Sequence, residues 1–238
     1  MGAEPASIGR LTGGVHPRSL RLAVAARVSH AAAARQLAGR DPAMAELLER
    51  TGPPHFRPPT DSHFAALVRS VVHQQLAGAA AAAIHARLVT ALAGEVSPAR
   101  VMALPPERLR AAGLSANKAA SITDLAAKVL DGTVELDRRR LSREPDEEVI
   151  ARLSTVRGVG RWTAEMFLMF QLRRLDVWPV GDLGVRRGYG LAHGTAMPAP
   201  KELAALGEAY RPLRSVAAWY CWRACEVYAG AGDSALTR

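Results

Sequence analysis

The stretch that decides the fold is Leu153-Ser154-Thr155-Val156-Arg157-Gly158-Val159-Gly160-Arg161-Trp162-Thr163-Ala164. Leu153 and Val156 are the last regularly spaced apolar residues of a predicted helix that ends at Gly158. Two glycines with one residue between them let the backbone turn tightly and approach another molecule closely. Helical spacing then resumes. We therefore predict a helix, a tight turn and a second helix over about residues 153–170, with free backbone N–H groups that suit a phosphate.

One aspartate follows this turn at a spacing that sharpens the interpretation. Asp182 lies 20 residues after Trp162, just beyond Pro179 and Gly181. On local grounds alone Asp182 is an ordinary helix N-cap candidate. A plain connection between two helices also uses a Gly-x-Gly turn, so the turn alone has little specificity. A dinucleotide-binding domain is excluded because no strand precedes the glycines.

Two further blocks surround this segment. The first is Val71-Val72-His73-Gln74-Gln75-Leu76-Ala77-Gly78, and the second is Arg211-Pro212-Leu213-Arg214-Ser215 followed by Trp222. Together with the glycine turn and Asp182, they resemble the helix–hairpin–helix DNA glycosylase superfamily, and within it the 3-methyladenine DNA glycosylase II branch. The resemblance spans roughly residues 37–228, and three blocks in the right order make it specific.

The resemblance implies an all-α fold, a two-lobed helical bundle with a DNA-binding cleft between the lobes. Independently, Pro and Gly separate segments with helical spacing, and no convincing pair of strands is found. Residues 1–29 are punctuated by Gly, Pro and Arg and are predicted to form a poorly ordered arm. We expect residues 30–238 to form one glycosylase domain of two interleaved lobes.

The charge of the chain favours a polyanionic partner. Its 238 residues carry a net charge of +9, with a pI near 10.5. Only three of the 31 basic residues are lysines, and an Arg- and Ala-rich composition also follows from a GC-rich coding sequence. The charge therefore supports a nucleic acid without establishing one. The resemblance implies double-stranded DNA containing damaged bases as the partner of a monomer.

Cofactors are constrained by the two cysteines. Cys221 and Cys225 are too few for the four-cysteine iron–sulfur cluster of other branches, so we expect no cluster and no other metal site. By the resemblance, hairpin carbonyls are a place for a monovalent cation. The chain has no apolar run of membrane-spanning length and no secretory core near its start. We expect a cytoplasmic, nucleoid-associated protein without a membrane partner.

The resemblance also assigns the chemistry. Asp182 would stabilise the positive charge that develops on the sugar as the base departs, and orient the attacking water. Trp162 occupies the place where bifunctional members carry a nucleophilic Lys, which implies a monofunctional enzyme without lyase activity. Periodicity alone would equally make Trp162 a core residue. Trp222 would stack on the base, because an indole face attracts a cationic alkylated purine. The predicted base pocket consists of Trp162, Trp222, Met166 and Trp178, and the alternative for Trp178 is packing beneath Asp182.

The predicted DNA contacts surround the hairpin. Backbone N–H groups of Gly158, Val159 and Gly160 would bind a phosphate. Lys118 and Arg161 are predicted to bind DNA phosphates, and Arg214, which lies in the Arg211–Ser215 block of the resemblance, is predicted to contact DNA as well. The alternative for such residues is simple solvation, because exposed Arg and Lys side chains near turns often have no partner. Gln74 and Gln75 would fill the gap left by the flipped nucleotide, or simply form a polar helix end. In some relatives an apolar wedge stands at the position of Gln75, which leaves the identity of the plug open.

The predicted activity is excision of alkylated purines, of the 3-methyladenine and 7-methylguanine type, to leave an abasic site in base excision repair. One alternative is a glycosylase for deaminated or oxidised bases. Another is a non-catalytic protein that senses lesions through its hairpin. Asp182 and Trp222 argue against the second alternative, because a hairpin that only binds phosphate needs neither.

Overall fold

The structure is a computed structural model that describes residues 28–229, so the predicted arm of residues 1–29 lies almost entirely outside the described part. Between residues 28 and 229 the regular structure is helical, without strands, which confirms the all-α prediction. The helices are α1 (His30–Ala38), α2 (Pro42–Thr51), α3 (His63–His73), α4 (Gly78–Ala91), α5 (Pro98–Ala103), α6 (Pro106–Ala111), α7 (Ala116–Leu130), α8 (Arg138–Leu141), α9 (Asp146–Leu153), α10 (Arg161–Met166), α11 (Leu183–His193), α12 (Pro200–Leu206) and α13 (Arg214–Val227). A π-helical turn, Phe167–Gln171, extends α10, and a 3-10 turn, Gly207–Tyr210, follows α12.

Local sequence explains where many helices begin. Six of them start after a Ser or Asp whose side chain accepts a hydrogen bond from a backbone N–H of the first turn. These capping residues are Ser29, Asp41, Ser62, Ser115, Asp137 and Asp182. The N-cap interpretation of Asp182 is therefore confirmed.

The two lobes are interleaved along the chain. Helix α2 packs against α11 and α13, and α1 packs against α2 and α13, so both ends of the described chain build the first lobe. The second lobe is built by α3 to α7, with α7 packing against α3, α5 and α6. Tyr220 of α13 is fully buried and donates a hydrogen bond to the carbonyl of Gly52 after α2 (3.1 Å). The hairpin joins α9 and α10, and the π-helical turn that extends α10 packs against α3 of the second lobe.

Candidate active site

Asp182 lies at the start of α11, where three N–H groups surround its carboxylate. Oδ1 accepts from the backbone N–H of Val185 (2.8 Å) and from Nε1 of Trp222 (2.9 Å). Oδ2 accepts from Nε1 of Trp162 (2.6 Å). The side chain is buried, and these donors compensate for the lost hydration of a negative charge. With a single donor, Oδ2 keeps a free lone pair for a further partner.

An aromatic surface adjoins this carboxylate. The ring of Phe170 stacks on Trp222, with 5.9 Å between centroids and 27° between planes, and 42% of Phe170 is exposed. Gly184 makes the close approach of Trp222 possible, because a Cβ there would lie 2.8 Å from the indole Cδ1. From the sequence, Phe170 is predicted only as the end of the second hairpin helix, within about residues 153–170. Nothing in the spacing indicates that this ring faces outward beside Asp182, in the wider π-helical turn that often marks functional sites.

A cavity of about 630 Å³ lies between the hairpin and the turn after α3. Trp162 and Met166, two of the four residues predicted for the base pocket, line this cavity, whereas Trp222 does not. The other lining residues are Ser70, His73, Gln74, Gln75, Gly158 and Thr163. Since the Nε1 of Trp162 reaches Asp182, this indole connects the cavity with the carboxylate.

Trp178 lies elsewhere. It is buried, its Nε1 donates to the carbonyl of Leu203 (2.8 Å), and its ring packs against Tyr210. Gly207 accommodates the indole, because a Cβ at that position would lie 2.2 Å from the Nε1 of Trp178. The position of Trp178 therefore does not support its assignment to the base pocket, and its role is to hold the α12 region on the core.

The hairpin turn requires a glycine at position 158, whereas the backbone and the surrounding space at Gly160 would also accommodate a side chain. Gly158 has φ +73°, and a Cβ there would lie 2.5 Å from the Oγ of Ser121. Val159 is buried, and its N–H donates to the carbonyl of Val156 (3.0 Å). The predicted phosphate contact of this N–H is therefore wrong, because the group already has an acceptor within the protein. Gly160 is exposed and extended, with open space around it. Among residues 28–229, its N–H has no acceptor.

The predicted basic contacts are already engaged within the protein. Nζ of Lys118 donates to the carbonyls of Val72 and Gln74, both at 2.7 Å, and burial lowers the pKa of this ammonium group. Arg214 binds the carboxylate of Asp176 through Nε (2.7 Å) and its carbonyl through Nη2 (2.7 Å). These contacts occupy two of the three N–H donors of Lys118 and bind Arg214 to Asp176, so each side chain has fewer donors left for a phosphate. The DNA contacts of both residues stay predictions.

Arg161 differs from these two residues because its side chain is half exposed at the start of α10. It pairs with Glu147 of α9 (2.5 Å) and lies 3.6 Å from Glu165. A phosphate at this end of the helix would therefore compete with Glu147.

Glu165, which the sequence analysis did not select, is the most perturbed carboxyl near the site. Burial raises its pKa to about 7, and Glu147 and Asp182 add to the rise. Arg161 opposes the rise without cancelling it, since this guanidinium group is shared with Glu147. Its position four residues after Arg161 on a predicted helix could have indicated an ion pair between the two side chains, but only the fold shows that the side chain of Glu165 is buried.

The turn after α3 presents an apolar tip. Gln74 points inward, where Nε2 donates to the carbonyl of Gly158 (3.0 Å) and to Oγ1 of Thr163 (3.2 Å). Gln75 is exposed in a left-handed conformation (φ +55°), and the next residue, Leu76, is 40% exposed. Gln75 was predicted as a residue that fills the gap left by the flipped nucleotide, and Leu76 was not. An exposed leucine at a tight turn suits insertion between bases better than a glutamine.

Between residues 28 and 229, no three His, Cys, Asp or Glu side chains converge on a point where an ion would fit. In the same part of the chain, no helix has the length and apolar character needed to cross a bilayer.

Comparison with known proteins gives a consistent family. The model of the HhH-GPD superfamily of base excision DNA repair proteins matches residues 68–212. DNA-3-methyladenine glycosylase 1 of Schizosaccharomyces pombe is 36% identical over 160 residues, which cover 66% of this chain and 70% of that protein.

Two solved structures extend the similarity to the fold. One is an S. pombe 3-methyladenine DNA glycosylase in complex with abasic DNA, with a TM-score of 0.72 and 32% identity over 82% of this chain and 96% of that one. The other is a DNA-3-methyladenine glycosidase from Bacillus halodurans, with a TM-score of 0.74 and 34% identity over 83% of this chain and 90% of that one.

Proposed function

Because the chain belongs to the HhH-GPD superfamily of base excision DNA repair proteins, we propose that it is a monofunctional DNA glycosylase. It flips alkylated purines, of the 3-methyladenine and 7-methylguanine type, out of duplex DNA and hydrolyses the N-glycosidic bond to leave an abasic site. The observation that carries the proposal is the carboxylate of Asp182, buried at the head of α11 and oriented by the two indole N–H groups of Trp162 and Trp222.

This arrangement suits a reaction that passes through a cationic sugar. As the bond between C1′ and the base nitrogen breaks, its electron pair leaves with the base, and positive charge builds up on the sugar. The free lone pair of the Oδ2 atom of Asp182 faces this charge or orients the water whose oxygen bonds to C1′, and the proton that this water loses passes to the carboxylate or to solvent. Because the donors already hold the carboxylate in place, little reorganisation is needed as the charge develops.

The aromatic surface explains the choice of base. An N-alkylated purine is cationic, and an indole attracts such a ring by roughly 0.5–2 kcal/mol. The stacked rings of Phe170 and Trp222 offer this surface beside Asp182. The alkylated base is also a good leaving group, so no dedicated general acid is required.

We propose that the enzyme lacks lyase activity because, among residues 28–229, no lysine amine is free at the reacting centre. A Schiff base with the sugar needs a free amine at the reacting centre. Trp162 stands at the position of the nucleophilic Lys of bifunctional relatives, and the ammonium group of Lys118 is held by two backbone carbonyls. We further propose that the enzyme acts as a cytoplasmic, nucleoid-associated monomer on double-stranded DNA, without an iron–sulfur cluster or another required cofactor.

The test is to incubate the protein with methylated duplex DNA and to identify the released bases by mass spectrometry. We expect free 3-methyladenine and 7-methylguanine, and product strands that stay intact until alkali is added. Borohydride should trap no covalent complex. Release of deaminated or oxidised bases alone would replace the proposed substrate class, and a trapped complex would overturn the monofunctional assignment.

A further inference from the structure

Helix α7 contacts two turns, the one after α3 and the glycine hairpin between α9 and α10. Lys118 reaches the turn after α3, and Ser121, one turn later, packs against Gly158 of the hairpin. Further along, Oδ2 of Asp124 accepts from the backbone N–H of Arg157 (2.8 Å) and from Nζ of Lys128 (2.8 Å). One helix face therefore supports the turn that bears Leu76 and the turn that bears Gly160.

Lys118 makes the contact on which the first turn depends. The last carbonyls of a helix lack partners within the helix, and here one ammonium group takes up the carbonyls of Val72 and Gln74 at 2.7 Å each. The next residue, Gln75, has a left-handed backbone, which is unfavourable for a residue with a side chain. The ammonium group thus stabilises the backbone immediately before a strained residue.

The two turns are also joined directly. The side chain of Gln74, whose carbonyl is held by Lys118, donates to the carbonyl of Gly158 and to Thr163. A displacement of the Gln74 backbone would therefore move the exposed Leu76 and break the link to the hairpin at the same time.

We propose that Lys118 is a positioning residue, which fixes the Gln75–Leu76 turn relative to the glycine hairpin so that base extrusion and phosphate binding occur in one docking event. The proposal rests on the proposed function, since it takes Leu76 to enter the gap left by the extruded base. Lys118 itself touches neither the base nor the sugar in this role.

The experiment compares Lys118→Met and Lys118→Arg with the wild-type protein. Lys201→Met is the matched control, because it removes the same charge from an exposed side chain of α12 that has no ion pair within residues 28–229. Three quantities are measured: hydrogen exchange of peptides covering residues 73–78, the affinity ratio for abasic over undamaged duplex, and single-turnover release of methylated bases.

For Lys118→Met we expect faster exchange at residues 73–78, at least about a tenfold loss of the abasic preference and a similar loss in base release, because small misplacements are costly in such sites. Affinity for undamaged duplex should change by less than about twofold, since only insertion is impaired. Lys118→Arg should restore part of the preference, and Lys201→Met should match the wild type. If Lys118→Met does not fold, Lys118→Gln replaces it with the same expectations.

Unchanged exchange and an unchanged abasic preference in the Met variant would overturn the proposal. An equal loss of affinity for abasic and undamaged duplex would also overturn it, because Lys118 would then be an ordinary phosphate contact. A wild-type protein that releases no methylated base would refute the proposed function alone, since the exchange and affinity measurements do not depend on catalysis.

Discussion

The glycine hairpin and the surroundings of Asp182 adjoin each other through Trp162, yet they use their hydrogen-bonding groups differently. In the hairpin, the inward groups are satisfied by α7 and by Gln74, while the N–H of Gly160 faces outward without an acceptor among residues 28–229. Around Asp182, all three donors already point at the carboxylate. The difference teaches that the proposed DNA-binding turn leaves a backbone group for a ligand to satisfy, whereas the candidate catalytic charge is oriented before any ligand arrives.

The largest expected effect comes from removing that charge. Asp182→Asn should lower single-turnover base release by about a thousandfold or more, because stabilisation of a developing cation requires the negative charge. Binding to abasic duplex should stay within about threefold of the wild type, since the hairpin is untouched. The measurement is base release under single-turnover conditions, with circular dichroism as the folding control. Release within about threefold of the wild type would exclude Asp182 from the chemistry.

The next effect concerns the hairpin. Gly160→Asp should weaken binding to damaged and undamaged duplexes alike by about tenfold, because a negative charge at the turn repels a phosphate. Gly160→Ala is the matched control, since Gly160 is extended and a Cβ there meets nothing within 4 Å. Fluorescence anisotropy at low salt measures both variants. Equal affinities for the Asp and Ala variants would remove this turn from the DNA interface.

A smaller effect than that of Asp182→Asn is expected where the two regions meet. Trp162→Phe keeps an aromatic ring in the cavity but removes the N–H that orients Oδ2 of Asp182. Loss of one hydrogen bond to a charged group, about 1.5–3 kcal/mol, should slow base release by roughly 10- to 100-fold with little change in DNA affinity. A rate equal to the wild type, at equal folding, would show that this N–H does not contribute to the chemistry.

The smallest effect should appear in stability rather than in activity. Glu165 ionises near pH 4.5 when unfolded and near pH 7 when folded, so the folded protein binds more protons between these values. Stability should therefore fall as the pH rises from 4.5 to 7. Glu165→Gln should be more stable than the wild type above pH 7, by on the order of 1–3 kcal/mol, and equal to it below pH 4.5. Thermal unfolding at several pH values measures this, and a pH-independent difference would contradict it.

Contacts between residues close in sequence could be predicted, whereas contacts between residues far apart in sequence could not. The contact between Asp182 and Val185 spans three residues, and the cap was predictable from the local sequence. The contacts of Lys118 and Arg214 span 46, 44 and 38 residues. From the sequence, a long basic side chain is expected to be solvated or to bind phosphate, so the internal partners of these two residues could not be predicted.

What the sequence by itself determined was the helical character of the chain, the glycine hairpin and the N-cap position of Asp182, because caps, apolar spacing and turn residues act over a few neighbours. Only the tertiary structure decided that Trp178 is buried in the core, that the N–H of Val159 is occupied and that Leu76 forms the exposed tip. It also brought Trp162 and Trp222 to opposite oxygens of one carboxylate. The physical reason is that burial and long-range hydrogen bonding depend on which elements pack together, and a local sequence pattern contains no record of that packing.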